Sequence, residues 1–235
     1  MYINKFLDLS QNIVFENDNF LIFNKPYNMA VHGGSKVEYN LIELLRHHSK
    51  FKNKYLELVH RLDKATSGCL ILAKNKAFLK QFHFLLKFNL VEKEYHALVK
   101  GEVNDLFYTK FSDDLLNNYN LKIELKNRLT INYYSVINKF SNFSLIKIFP
   151  LTGKMHQIRI HLSYLGNPIA GDIKYGSKKF NFYMKKVGLT RMFLHFKSIK
   201  FKCPIDGKIY FIESEYDKYL FYFINQILGE TINAK

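Results

Sequence analysis

Asp63 stands in the stretch HRLDKATSGCLILAKN, residues 60–75, where a single carboxylate is surrounded by His60, Arg61 and Lys64. Cations this close favour the ionised form of an acid, and an ionised carboxylate is what nucleophilic catalysis by aspartate requires. Thr66, Ser67 and Gly68 form a loop by composition, and the apolar run Cys69–Ala73 follows, so the acid sits on the lip of a strand. Loops mounted on rigid strands are where functional side chains concentrate. The same aspartate could equally cap a turn or pair with Arg61 at the surface. This stretch alone leaves both roles open.

A second concentration of chemistry lies in LTGKMHQIRIHLSYLGNPIAGDIKYG, residues 151–176. On a helix, His156, Arg159 and Ser163 share one face, while Ile158, Leu162 and Leu165 share another that reads as the core side. Arg159 is then a cation on a defined side of an anchored helix, a suitable mount for a carboxylate partner. His156 and His161 are five apart with no acid between them, which suits hydrogen-bonding histidines better than a metal site. In EKEYHALVKG (92–101), Tyr95 lies in mid-strand on the side of Ala97 and Val99. It is either a half-buried core residue or a ring that stacks on a nucleobase, an interaction of about 1–3 kcal/mol. Residues 174–202 hold nine Lys and Arg and no acid, interleaved with seven Phe and Tyr, a mixture suited to tracking a backbone and stacking on bases.

Thirty-five Lys and Arg against 20 Asp and Glu give the 235-residue chain a net charge of +15. Such a surplus points to a polyanionic partner, although the bias to Lys, Asn, Ile, Phe and Tyr is also what AT-rich coding would produce. Phosphate-loop, dinucleotide-binding and serine-hydrolase motifs are missing, which removes the usual sequence support for those chemistries. Cys69 and Cys203 are distant and neither is in a CxxC pair, so neither a disulfide framework nor a cysteine zinc site is expected. The first residues lack the apolar run of a signal peptide, and no apolar run approaches the ~20 residues of a membrane span. A soluble, cytoplasmic chain without a membrane association is the expectation.

These residues must be positioned by strands more than helices. Residues 13–24 read as two short strands around the turn Glu16–Asn19, and 25–34 as a loop. Helical spacing predicts helices at Asn40–His48 and Asn75–Phe88. Cys69–Ala73 and Glu94–Val99 read as strands, the first buried on both faces. The polar, Asn-rich 103–127 reads as a loop or small excursion, and strands are expected over 129–137 and 143–149. A helix should run from Thr152-Gly153 to Leu165, where Gly166 ends it. PIDG between Ile199–Phe201 and Lys208–Ile212 signals a hairpin, and a closing helix should cover about 214–228. The pattern predicts an α+β fold with a mainly antiparallel or mixed sheet, in one domain with a core of about 13–215.

Taken together, the motifs resemble those of the RluA family of pseudouridine synthases. HRLDKATSG (60–68) is similar to the family's HRLDxxTSG signature, and NKPYNMAVHGG (24–34) to its NKPxGxxVHxG segment. KEYHALVKG (93–101) resembles KxYxALVxG, TGKMHQIRIHLSYLGNPIAGDIKYG (152–176) resembles TGRTHQIRxHLxxxGxPIxGDxxYG, and FLHFKSIKF (193–201) resembles LHAxxLxF. VHGGS and the lead-in ELVHRLDKATSG look most like the RluC type, which modifies 23S rRNA. The resemblance implies an α+β catalytic domain with a central, mainly antiparallel sheet. It implies an enzyme isomerising uridine to pseudouridine without metal or coenzyme, with RNA as partner; a monomer is the expectation, though the sequence leaves the oligomeric state open. RluC-type enzymes usually carry an N-terminal S4 RNA-binding domain, and this chain starts where that domain would end.

Residue by residue, the resemblance assigns Asp63 the attack on the uridine, Arg159 the cation that pairs with that aspartate, and Tyr95 the ring against the base. Arg61 matches the side chain that fills the gap left by the flipped nucleotide, and Ile158 the apolar contact to uracil. His60, Thr66, Lys154, His156 and Gln157 complete the matched substrate-binding positions. Flipping is needed because an A-form duplex hides its base edges, and an enzyme acting on a base takes it out of the stack. The chain departs from the pattern at Lys154 and Met155 (usually Arg and Thr), at Phe196 (a small Ala) and at Cys203, where His often precedes Pro204; the strand near 126–136 matches poorly. These departures bear on the choice of target, 23S rRNA or transfer RNA, more than on chemistry. A non-catalytic RNA-binding or assembly factor is the competing class.

Overall fold

A computed structural model of the chain describes residues 9–33, 39–103, 107–109 and 132–233. The chain falls into two compact units: Met1–Glu92 with His195–Tyr222, and Lys93–Leu194 with Phe223–Lys235.

In the first unit, β1 (Ile13–Glu16) turns back antiparallel onto β2 (Phe20–Lys25). The Asn17 side chain fixes the turn by accepting the N–H groups of Asn19 and Phe20. β2 pairs antiparallel with β4 (Ser67–Ala73), which also takes the two-residue β3 (Glu57–Leu58). Every residue of β4 is buried, as its unbroken apolar run predicts. At its start Ser67 and Gly68 run parallel to His195 and Phe196 of β9 (Leu194–Lys202), and β9 forms a hairpin with β10 (Ile209–Glu213). Asn40 caps α1 (Leu41–His47) and Asn75 caps α2 (Lys76–Lys87), each accepting a backbone N–H three residues on. Phe78 and Phe82 of α2 seal the core by stacking on Phe20 and meeting Phe201 edge-on.

In the second unit, β5 (Val91–Lys100, its first two residues in the first unit) lies antiparallel to β8 (Phe143–Pro150). β8 in turn pairs with β7 (Asn132–Lys139), and β7 with β6 (Phe107–Thr109). Two helices follow, α3 (Gln157–Tyr164) and α4 (Lys178–Lys186); α5 (Lys218–Asn233) crosses the boundary between units. The fold is α+β, with antiparallel pairings and the parallel pairing of β4 with β9, as expected. No helix among the described residues is long and apolar enough to cross a membrane.

Three elements differ from expectation. α3 begins at Gln157, because Thr152–Met155 form a loop and His156 adopts a left-handed conformation (φ 55°). His156 therefore precedes the helical face on which spacing placed it, and Leu165 caps the helix with 36% of its surface exposed instead of joining Ile158 and Leu162 in the core. α5 starts at Lys218: the Ser214 N–H still bonds to the Lys197 carbonyl, and Asp217 caps the helix through the Leu220 N–H. α4 was not anticipated. Its first turn carries Lys178 and Lys179 where acids are favoured, which masked the Ser177 cap and the buried pair Phe180 and Met184. Of the expected excursion at 103–127, all but residue 103 and β6 lies outside the described residues.

Candidate active site

The first unit presents the Asp63 loop. The Thr66 N–H donates to the Asp63 carbonyl at 3.0 Å and closes the turn Asp63–Thr66; Asp63 is half-buried, Thr66 buried and Arg61 exposed. His60 ties the approach to β4, its Nε2 accepting the Ile71 N–H at 3.1 Å while its ring meets Phe196 edge-on. Nε2 therefore carries no proton, and the ring is an anchor of the loop. Below the turn, Gly68 has φ 108°, and a Cβ there would stand 2.2 Å from the Phe196 carbonyl oxygen. Glycine is what lets β4 approach β9 so closely under the Asp63 turn.

Two groups that sequence reading passed over hold this turn. Lys25, fully buried at the end of β2, donates its ammonium to the carbonyls of Pro26 (2.8 Å), Met29 (2.9 Å) and Lys64 (3.3 Å). A buried ammonium needs such acceptors, and here it binds the residue next to Asp63 to the loop after β2. Ser67 and the fully buried His195 share a hydrogen bond of 2.9 Å at Nδ1, and the His195 Nε2 meets the Ser214 carbonyl at 3.0 Å. Both Lys25 and His195 lie in matched motifs, and it was their burial that the motifs could not show.

The second unit carries Tyr95 and Arg159. Tyr95 is half-buried on β5 opposite Ile148 of β8. Its sequence neighbours, whose side chains leave the strand on the other face, engage each other: Glu94 accepts from His96 at 2.8 Å and from Lys147 at 3.1 Å. Burial raises the Glu94 carboxyl, but these two partners outweigh it and hold its pKa below the ordinary range.

Arg159 is buried in α3 and held in a fork. Its Nε donates to Asp172 Oδ2 at 2.7 Å and an Nη to Oδ1 at 2.9 Å. The Tyr175 ring lies 5.1 Å from the guanidinium, a stacking arrangement that arginine favours. Asp172 is itself fixed by the N–H groups of Lys174 and Tyr175. His156 shares a hydrogen bond of 3.0 Å with the Tyr175 hydroxyl. Gln157 is buried, with its amide oxygen accepting the Thr152 hydroxyl (2.6 Å) and the Lys154 N–H (3.1 Å). It shapes the loop that carries Lys154. Ile158 is 7% exposed beside Arg159. Asp172 and Tyr175 are the residues missed here; the GDIKYG match was the signal.

Among the described residues no group of three His, Cys, Asp or Glu is placed to hold a metal. Each unit thus presents one well-braced chemical element: a half-buried aspartate on a pinned turn, and a buried arginine with an aromatic neighbour.

Residues 19–164, more than half of the chain, match the model of the RNA pseudouridylate synthase family, a span containing Asp63, Tyr95 and Arg159. The chain is 37% identical over 223 residues to "Ribosomal large subunit pseudouridine synthase C" of Haemophilus ducreyi, covering 93% of this chain and 69% of that one. It is 42% identical over 199 residues to the protein of that name from Buchnera aphidicola, covering 82% and 62%. The chain thus spans about two thirds of the length of these curated relatives. The solved human RNA pseudouridylate synthase domain containing 4 shares its fold, with a TM-score of 0.71 at 22% identity over 93% of each chain. With the HRLD turn, the Tyr95 strand and the Arg159 helix all inside the matched span, the chain belongs to the RNA pseudouridylate synthase family, in agreement with its RluA-type motifs.

Proposed function

We propose that this chain isomerises uridine to pseudouridine in large-subunit ribosomal RNA, with Asp63 as nucleophile and its two units acting as one catalytic domain. The observation that carries the reading is the long alignment with large-subunit pseudouridine synthases, in which the family signature falls on a turn braced from beneath by buried groups. A nucleophile held on a rigid mount is what precise attack on an extruded nucleotide demands.

In this reading the bond from ribose C1′ to N1 of uracil breaks and a bond from C1′ to C5 forms. The C5 proton leaves to solvent and N1 gains a proton, so atoms and electrons balance without an oxidant or reductant. Arg159 contributes fixed positive charge, and Tyr95 a ring for the base. Arg61, exposed next to the turn, suits a side chain that occupies the space of the flipped nucleotide. The net charge of +15 supports a polyanionic substrate.

The test is tritium release from C5-labelled uridine in large-subunit rRNA, with transfer RNA in parallel. Release from rRNA by the wild-type chain, abolished in Asp63→Asn, is expected. Activity retained by Asp63→Asn would overturn the mechanism, and release from transfer RNA alone would move the substrate.

A further inference from the structure

We propose that the outward face of α4 is a second RNA-contacting surface, binding phosphates and an unpaired base flanking the target uridine. The proposal rests on the reading that the substrate is RNA. α4 buries Phe180 and Met184 on one side. Its exposed positions are Lys178, Lys179, Phe182, Tyr183, Lys185 and Lys186, so every fully exposed residue of the helix is a lysine or an aromatic. At 3.6 residues per turn these six cover an arc of about 160° opposite the buried pair.

Three observations separate this face from an ordinary solvated lysine surface. Lys178 and Lys179 occupy the first turn, where positive charge opposes the helix dipole. They are thus placed against helix stability. Some lysines elsewhere are held in ion pairs, as Lys74 and Lys50 are with Glu16, Lys147 with Glu94, and Lys200 with Glu92. Among the described residues none of the four α4 lysines is paired with a carboxylate. Finally, Phe182 is 63% exposed with the Lys186 ammonium 4.7 Å from its ring centre. An exposed ring flanked by cations is the arrangement that holds single-stranded nucleic acid by stacking and charge together.

The helix is also coupled to the Arg159 site. Asn181, on its inner side, donates to the Asp172 carbonyl at 2.9 Å and accepts the Gly171 N–H at 2.8 Å. Gly176 allows the close return: a Cβ there would meet the Asp172 carbonyl oxygen at 2.0 Å. The loop that grips Arg159 and the lysine face are therefore one rigid piece, and RNA held on α4 is held at a fixed position relative to Arg159.

Fluorescence anisotropy with a fluorescein-labelled RNA stem–loop bearing single-stranded flanks tests this, at several salt concentrations. Replacing Lys178, Lys179, Lys185 and Lys186 together with Gln is expected to weaken binding and to flatten the slope of log K against log salt by about 3, since each lost phosphate contact removes about 0.7–0.9. Phe182→Ala is expected to weaken binding about tenfold with the slope retained. If the quadruple variant folds poorly, the pairs Lys178→Gln/Lys179→Gln and Lys185→Gln/Lys186→Gln are measured separately, each expected to lose about half of that slope change. Unchanged affinity and slope in folded variants would overturn the proposal. So would loss of binding to phosphatidylserine vesicles with RNA affinity intact, which would make the face a membrane surface. Wild-type binding that depends on α4 without pseudouridine in large-subunit rRNA would leave this surface standing and remove the proposed reaction.

Discussion

Arg159 and Asp172 lock together through two parallel hydrogen bonds of 2.7 and 2.9 Å, with both side chains almost wholly buried. Such a fork fixes direction as well as charge. Burial by itself raises the Asp172 carboxyl; the Arg159 guanidinium and the N–H groups of Tyr175 and Lys174 outweigh it and hold its pKa below the ordinary range. A carboxyl lowered on folding stabilises the fold above the ordinary aspartate range, and that stability is lost as pH falls through the depressed value.

Asp172→Asn should therefore lower stability by about 3–5 kcal/mol at neutral pH, because it removes the carboxylate charge from beside a buried guanidinium. The gap between wild type and variant should narrow as the solution is acidified below the ordinary aspartate range. Urea unfolding followed at several pH values checks both. A gap independent of pH would show that Asp172 acts by shape and not by charge.

Gly68→Ala should destabilise the first unit by about 2–4 kcal/mol, the range for a substitution that forces backbone apart. The added methyl would need the space of the Phe196 carbonyl, and the backbone there is in the left-handed region. Because Gly68 lies two residues past Thr66, whose N–H closes the Asp63 turn, pseudouridine formation should fall even at temperatures where the variant stays folded. Activity and unfolding midpoint measured together distinguish this from a loss of stability alone.

Lys93 enters the second unit two residues before Tyr95, and burial pushes its ammonium down to about 8. Among the described residues its acceptors are distant, the Leu151 and Thr152 carbonyls at 3.5 and 3.4 Å. Between that value and the ordinary lysine range the unfolded chain holds a proton that the folded chain has released, so stability rises with pH across this window. Lys93→Met should accordingly exceed wild type in stability at neutral pH and lose that advantage in alkaline solution. Thermal unfolding at about pH 7 and about pH 10 reads the difference.

The strands and capped helices were legible because each is written locally: an unbroken apolar run for β4, Asn40 and Asn75 in front of α1 and α2, a PIDG turn for the last hairpin. α4 was hidden because its exposed face is specified by something other than helix stability, with lysines in the first turn. At the site, Asp63, Tyr95 and Arg159 could be named from motif spacing. Their supports could not. Lys25 reads as a surface lysine until three carbonyls are found around its ammonium, and Asp172 reads as a loop acid until Arg159 closes on it. Those roles come from contacts between residues 13 to 128 positions apart, which no local pattern encodes.

Tyr95 separates the roles of ring and hydroxyl. It stands half-buried on β5, with Ile148 opposite, while Glu94 and His96 are engaged with each other on the other face of the strand. If the ring supports the base, Tyr95→Phe should keep RNA affinity within about threefold, since the stacking surface is preserved. Tyr95→Leu removes that surface and should weaken binding by about 1–3 kcal/mol. If the hydroxyl also assists loss of the C5 proton, single-turnover formation of pseudouridine should slow in Tyr95→Phe by about 10²–10⁴-fold at saturating RNA, with tritium release slowed in step. A phenylalanine variant with full turnover would confine Tyr95 to holding the base, and a leucine variant with undiminished affinity would remove it from the site.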